Sequence, residues 1–489
     1  MVLRVKNLGW NAGHPVAIIN DATAVKLSLS VNDEVTIRHG SKVCVAVLEI
    51  IGGLVSKNEI ALSYEVSKVL GVKGGVDVSV SLAPRPESIE LIHKKLQCKV
   101  LSRKELELII HDIATNALSE AEIAYFVSSV YECGMSLRET TDLTKAMVNT
   151  GKKLNLKNKL VVDKHSIGGV SGRITPVVVS ICAAAGLTMP KTSSRAITSP
   201  SGTADSIETV CNVSFSPREL RRIIRKTNAC FVWGGTLGFA PADDKLIQVE
   251  KLLSVDPEPQ LLASILAKKL AVGAKFLIID IPYGDNAKVS LPKAKILKRK
   301  FEFIGGELGI TIKCVLDHAN EPRGVGIGPV LEMIDVIKVL KCEDDGFLIR
   351  DKSLLFAGEL LELSGIVPKN HGRSIAEELL NSGKAYKKFV EIIKAQGGSV
   401  KNFAKLHPGK FSKVFRASKS FTVKSVNIKS LNHTAIAAGC PVNKSAGIIL
   451  HKHLGDKVKK GEPLITLYAE TRTELRDAIK FFESSKAIN

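Results

Sequence analysis

A chain of 489 residues is too long for one hydrophobic core, so about three or four domains are expected. Hydrophobic content of 45% and charged content of 24% describe a soluble protein. No apolar run approaches the roughly 20 residues of a bilayer span, and MVLRVKNLGW has no signal-peptide core, so a cytoplasmic protein without membrane contact is expected. The formal charge of +20 raises nucleic-acid binding, but the basic residues are spread along the chain and aromatics are only 5%, which leaves few stacking platforms. A small anionic substrate or a solvated basic surface fits better.

Residues 1–84 alternate short β-like runs with Gly and Asp turns: Val16 to Ile19, Val35 to Ile37, Val43 to Ile50 and Val76 to Val80. They predict an N-terminal β-barrel with one short helix within Asn58 to Leu70. Ala83-Pro84-Arg85-Pro86 reads as a linker. From 85 to 157 the period becomes helical. Ser102 with Glu105 is a capping box, and Leu106, Leu108, Ile109, Ile110 and Ile113 form the apolar face. Ser119 to Cys133 and Ser136 to Asn149 follow as helices, and 240–273 returns to the same helical lobe.

Residues 158–239 and 274–420 alternate strands and helices. Strand-like runs are Leu160 to Val162, Phe276 to Ile281 and Thr311 to Leu316, with helices such as Leu291 to Phe303 and Val330 to Cys342 between them. Such alternation predicts a mainly parallel sheet with ligands at the carboxyl ends of its strands. Residues 421–489 are β-rich: Phe421 to Ile428, Ala446 to Leu450 and Pro463 to Ala469, closed by a helix over Glu474 to Phe482. The fold class expected is therefore multidomain α/β: a small α-helical lobe and a large α/β lobe, flanked by the N-terminal barrel and a C-terminal α+β domain.

Two stretches of the α/β lobe carry the chemistry. Asp163-Lys164-His165-Ser166-Ile167-Gly168-Gly169 follows one apolar run. Ser193-Ser194-Arg195 through Gly202-Thr203-Ala204-Asp205 follows the extended segment Thr188 to Thr192. Glycines let backbone approach an anion, and hydroxyls and amide N–H groups then donate to it. Lys164 and Arg195 add compact and forked positive charge. A helix after each loop, the first capped by Thr175-Pro176 and running to Ala185, would aim its dipole inward. The pair reads as a phosphate cradle, although two ordinary βα turns would use the same residues. Neither loop is a Walker A or GxGxxG motif.

In the helical stretch, Asp256 as N-cap and Pro257 at the first position start a helix that shows Ser264 and Lys268 on one face and Leu262 and Leu266 on nearly the opposite one. A solvated face would look the same. The nine cysteines are scattered without a CxxC pair, which argues against a zinc site and a disulfide scaffold and for small buried apolar side chains.

KHSIGG at 164–169, SSRAITSPSGTADSIE at 193–208 and APADDK at 240–245 resemble the thymidine and pyrimidine-nucleoside phosphorylases. The extra N-terminal barrel, and SSRAITS in place of a Gly-rich segment, look like the archaeal AMP phosphorylases along the whole chain. The N-terminal segment also resembles double-psi barrels. The C-terminal part resembles a barrel-sandwich element without its Met-Lys-Met attachment motif, which implies a structural role.

The resemblance implies phosphorolysis of a nucleoside 5′-monophosphate to free base and ribose 1,5-bisphosphate. Inorganic phosphate is then the co-substrate, with no cofactor and no metal, and the assembly a homodimer or larger homo-oligomer. By motif, Gly168, Ser194, Arg195, Ala196, Ile197, Thr198, Ser199, Thr203, Ser264 and Lys288 would contact the nucleotide. Lys164, Ser166, Ser193 and Thr203 would hold phosphate, and Asp256 would be the proton donor. A base-reading Arg of pyrimidine-specific members falls here at Val249 or Glu250, which implies relaxed base recognition.

The transition state would make the sugar positive and the base negative, so the protein must hold two anions in line and supply a proton. Arg195 and Lys288 are the cations that could serve the 5′-phosphate. A free Asp has a pKa of about 4 and an N-cap lowers it, so Asp256 would need desolvation to donate. His165 is the alternative donor. The competing functions are a pyrimidine-nucleoside phosphorylase acting on unphosphorylated nucleosides, a phosphoribosyltransferase of the anthranilate type, and a basic nucleic-acid-binding protein.

Overall fold

The computed structural model describes residues 1–156, 160–196, 199–343, 348–485 and 487–489. It resolves two compact units, Met1–Thr150 with Pro241–Leu261, and Gly151–Ala240 with Leu262–Asn489.

The first unit begins with a closed six-stranded barrel. Its strands are β1 (Val2–Lys6), β2 (Val16–Ile19), β3 (Glu34–His39), β4 (Lys42–Ile50), β5 (Glu59–Leu62) and β6 (Asp77–Leu82), in the order β1-β5-β2-β4-β3-β6. Closure pairs β6 with both β1 and β3, which leaves no strand edge open. Alternate residues such as Leu3, Val5, Val35 and Ile37 fill the interior. The short helix expected near Asn58 to Leu70 is Tyr64–Leu70.

A helical bundle follows: Ser88–Leu96, Arg103–Thr115, Glu120–Cys133 and Leu137–Asn149, with Pro241–Leu253 returning to pack on it. Ser102, Ser119 and Ser136 each form a capping box, with Glu105, Glu122 and Glu139. Each box satisfies two amide donors that would otherwise be orphaned, which fixes where the helix starts. Glu139 also pairs with buried Lys95 at 3.0 Å.

One cysteine expectation is overturned here. Cys98 and Cys133 form a disulfide. Each lies at or just past the end of a helix, and packing of those two helices brings their Cα atoms to 5.1 Å. A pairing across 35 residues leaves no local trace in the sequence. Cys342 is exposed, and Cys44, Cys182, Cys211, Cys230, Cys314 and Cys440 are buried as expected.

The second unit is built on parallel strands: β7 (Val162–Ser166), β8 (Met189–Ser193), β9 (Ala229–Trp233), β10 (Phe276–Tyr283) and β11 (Thr311–His318). β10 pairs with β7 and β11, β8 pairs with β9, and a parallel bridge between Val161 and Thr188 joins the two groups. The resulting order is β11-β10-β7-β8-β9. The chain leaves β7 toward β8 on one side and later fills β10 on the other. The reversal falls between β7 and β10, where open α/β sheets place their ligands.

Helices Thr175–Ala184, Pro329–Lys341, Leu348–Leu363, Gly372–Asn381 and Lys384–Ala395 supply most of a buried cluster that includes Val162, Phe231 and Ile278. The first of these helices starts at Thr175 with Ile174 as its cap, so Thr175 is not the N-cap expected of it. The helix Glu258–Val272 starts one residue after Pro257, whose carbonyl accepts its first bond from Leu261 N–H at 2.9 Å. The expected lobe boundary at 273 is not where the units divide: the division falls within this helix, after Leu261. Leu262 and Leu266 are buried and Ser264 and Lys268 half-buried, as the periodicity requires.

The C-terminal part is antiparallel. Phe411–Arg416, Pro463–Ala469, Gly447–Leu450 and Gly326–Ile327 form a four-stranded sheet. The strand expected over Phe421 to Ile428 is only Phe421–Thr422. Asn427 accepts from Ser430 N–H and starts the helix Ile428–Ala437 instead. A capping side chain there outweighed the β-like run before it.

Candidate active site

The carboxyl ends of the parallel strands carry loop segments: Ile167–Gly169 after β7, Ser194–Ala196 and Ser199–Gly202 after β8, Gly284–Val289 after β10 and Ala319–Gly324 after β11. Gly168 and Gly169 adopt φ of +89° and +94°, a region other residues rarely enter. Ser166 accepts a hydrogen bond from Gly168 N–H at 3.3 Å. Gly169 lies against Lys288: a Cβ there would stand 3.4 Å from the Lys288 backbone nitrogen and Cβ. The structure thus brings Lys288 to the first loop, at the point where strand order reverses. Lys288 also lines an open cleft of about 420 Å³ with Tyr283, Ser290 and His318.

The first stretch differs from expectation. Asp163, Lys164, His165 and Ser166 belong to β7, not to a loop. Lys164 points into the protein: it is 2% exposed, pairs with Asp280 at 3.2 Å and lies over the Phe356 ring. Asp280 also holds both terminal nitrogens of Arg323, at 2.9 and 3.0 Å, and Arg323 reaches Asp317 at 2.5 Å. Lys352 pairs with Asp317. On the other side of β7, Asp163 accepts from Lys269 at 2.6 Å and Lys191 at 3.3 Å. Two buried ionic clusters therefore flank β7, joined into one network through the Lys164 backbone carbonyl, which accepts from Lys191 at 2.8 Å.

The network sets the proton affinities around it. Burial pulls the Lys164 ammonium down to about 8, and Asp280 only partly counters this. Burial likewise lowers Lys269, with Asp163 opposing and Lys191 assisting. Burial pushes the Asp280 carboxyl up, but Arg323 and Lys164 more than offset it, so it lies below its ordinary value. His165 is held well below the usual imidazole value by burial and by Lys269, Lys191, Lys164 and Lys268. At neutral pH its ring is uncharged, so it lacks the readily donated proton expected of an alternative acid.

The second loop folds on Asp205, whose Oδ2 accepts from Ala196 N–H at 2.7 Å and Gly202 N–H at 2.8 Å. Gly202 is required there, since a Cβ would meet Ser194, Arg195 and Ala196 backbone atoms at 2.6–2.7 Å. The Ala196 amide is consequently occupied by protein. Arg195 differs from expectation too. Its guanidinium forms a two-pronged pair with Glu208, both bonds 2.7 Å, and stacks on Trp233. Lys444 of the C-terminal part also pairs with Glu208. Arg195 and Lys444 hold the Glu208 carboxyl down at about 2. Arg195 thereby braces the second loop.

Ser193 is the opposite case. Its Oγ is buried and has no hydrogen-bond partner among the described residues, an exception to the rule that buried polar atoms are satisfied. Thr203 opens the helix Thr203–Glu208. Ile197 and Thr198 lie outside the described residues. Ser194 is exposed, and Ser199 donates to the Ser201 carbonyl at 3.0 Å. Asp256 is exposed and belongs to the first unit.

Sequence reasoning missed Asp163, Lys191, Lys269, Asp280 and Arg323. One signal was available: Asp280 is the lone charge in the otherwise apolar run FLIIDIPY, and such a residue needs a partner.

Comparison with known proteins agrees with this architecture. Three family models match: the glycosyl transferase family helical bundle domain at 89–151, the glycosyl transferase family a/b domain at 158–256, and the pyrimidine nucleoside phosphorylase C-terminal domain at 422–489. The structure of anthranilate phosphoribosyltransferase from Thermus thermophilus shares the fold, with TM-score 0.55 and 18% identity over 63% of this chain and 99% of that one. Helical bundle and α/β domain together thus define a glycosyl transferase of this fold.

The full-length relatives narrow this. AMP phosphorylase 1 of Archaeoglobus fulgidus is 39% identical over 100% of this chain and 97% of its own. AMP phosphorylase of Pyrococcus furiosus is 41% identical over 97% and 95%. A putative thymidine phosphorylase of Legionella pneumophila is 40% identical over 99% and 95%. The chain belongs to the AMP phosphorylase family, within the thymidine and pyrimidine-nucleoside phosphorylases.

Proposed function

We propose that this protein phosphorolyses nucleoside 5′-monophosphates, AMP foremost and also CMP and UMP, to free base and ribose 1,5-bisphosphate. The observation that carries the reading is end-to-end similarity to AMP phosphorylases, with the motif at 193–208 standing on the carboxyl end of β8. Inorganic phosphate is the co-substrate, and no cofactor or metal takes part. It is held by Ser166, Ser193 and Thr203 above the Lys164 network. The nucleotide lies along Gly168, the 194–199 turn, Ser264 and Lys288, and Lys288 is the cation offered to the 5′-phosphate.

Phosphate attacks C1′ while the C1′–N bond opens. Charge leaves the sugar for the base, and the phosphate dianion stabilises the cationic sugar. Asp256 delivers the proton to the leaving base once its carboxyl is desolvated. His165, kept neutral by burial and by its lysine neighbours, serves as a hydrogen-bonding group. The enzyme works in the cytoplasm as a homodimer or larger homo-oligomer, with the barrel of double-psi type and the C-terminal domain of barrel-sandwich type in structural roles.

The test is purified protein with AMP and phosphate, assayed for adenine and ribose 1,5-bisphosphate beside thymidine and uridine. The thymidine phosphorylase reading, favoured by the Legionella relatives, requires nucleosides to turn over as well as AMP or better, and that outcome would replace the present one. Asp256→Asn is expected to lower kcat by about 10²–10⁴-fold. Unchanged turnover in that variant would remove the carboxyl from the proton-donor role.

A further inference from the structure

Both anion loops lead out onto a single buried carboxylate. Glu332, in the helix Pro329–Lys341, is fully buried. Its Oε1 accepts from Gly172 N–H at 3.3 Å and from an Arg173 terminal nitrogen at 3.4 Å. Its Oε2 accepts from Arg173 Nε at 2.6 Å and from Ser206 Oγ at 3.1 Å. The same Arg173 nitrogen donates to the Ser201 carbonyl. Ser201 and Ser206 hydroxyls lie 2.8 Å apart.

Gly172–Arg173 is where the chain leaves the first loop for its helix. Ser201–Ser206 is where it leaves the second. Gly172 is squeezed as well, since a Cβ there would stand 2.8–2.9 Å from Gly324 N and Arg323 Cβ. Few of these positions can shift without moving the others.

We propose that Arg173 and Glu332 form a spacer that fixes the distance between the two loops, and that Arg173 is a positioning residue for the phosphate held between them. The inference rests on the reading of those loops as the phosphate site. A guanidinium is needed because it must meet a carboxylate and a carbonyl in different directions at once. A lysine ammonium is a point charge on a flexible stem and does not hold both at fixed angles. A misplacement of about 1 Å between reacting groups costs about 10²-fold in rate.

The test is phosphorolysis of AMP by Arg173→Lys with phosphate varied. A second variant, Arg173→Met with Glu332→Gln, removes both charges together and so strands neither. Phosphate binding to each protein is measured by calorimetry without nucleotide. Both variants are expected to keep the thermal midpoint of the wild type to within a few degrees and to lose about 10²-fold in kcat/KM for phosphate. Phosphate affinity should weaken in parallel. Guanidinium ion added to Arg173→Ala should restore part of the lost activity. Wild-type phosphate affinity in Arg173→Lys and in the double variant would overturn the spacer. Wild-type protein inactive on AMP would overturn the functional reading instead, and the calorimetric comparison would still decide the spacer.

Discussion

The two loops reach the same edge of the sheet by opposite means. At the first, charge is provided and already spoken for: Lys164 lies inside β7, bound to Asp280, and Lys191 and Lys269 are bound to Asp163. At the second, the cation Arg195 is paired with Glu208 and stacked on Trp233, while the Ser193 hydroxyl has no partner among the described residues. Field comes from below the first loop and hydrogen-bond donors from the second. A buried cation fixed by a carboxylate keeps its position without ligand, so no reorganisation is needed when an anion arrives. A buried hydroxyl without a partner costs some stability, and on the proposed function it would supply directional binding to phosphate.

The sharpest way to break the first half of this contrast is Asp280→Ala. It strands Lys164 in the interior and leaves Arg323 with Asp317 alone, and a cost of about 3–5 kcal/mol in unfolding free energy is expected, read by urea denaturation. Loss of under 1 kcal/mol, roughly a surface-pair value, would show that the network is not buried in solution. Ser193→Ala addresses the second half. Stability should stay within about 0.5 kcal/mol, while KM for phosphate rises about tenfold, the equivalent of about 1.4 kcal/mol for one bond to a charged group. A stability loss without a KM change would make Ser193 a structural residue.

The mildest effect is on pH. Lys164 is charged below about 8 and neutral above it, so phosphate affinity should decline as pH rises through about 8, and Lys164→Met should flatten that limb. The stability sign is separate. The folded pKa is lowered from 10.5, so the unfolded chain binds more protons between about 8 and 10.5. This group's contribution to stability therefore rises with pH across that window.

Much of the frame was legible because it is local. Capping boxes at Ser102, Ser119 and Ser136 and the apolar run at Phe276 announce themselves within a few residues. The motif at 193–208 was legible as a family mark. The strand character of Asp163–Ser166 was not. Four polar residues look like a turn unless Lys191, Lys269 and Asp280, 28, 106 and 116 residues distant from their partners, are known to neutralise them. The pairing of Arg195 was not legible for the same reason. Its partner Glu208, itself also held by Lys444, is set by tertiary packing, and a guanidinium beside a Gly/Ser loop reads as a ligand hand. Ser264 and Lys268 were placed by periodicity alone, and their burial agrees.

The network beneath the sheet edge holds Lys164, Lys191, Lys269, Arg323 and Lys352 against Asp163, Asp280 and Asp317. With every group ionised it is two cations in excess. Burial loosens the lysine protons, with Arg323 assisting at Lys164 and Lys191 assisting at Lys269. A dianion settling above it would tighten them again, so its capture carries a hydrogen-ion stoichiometry. The apparent binding enthalpy should then change with the ionisation heat of the buffer, at pH values near 8 above all.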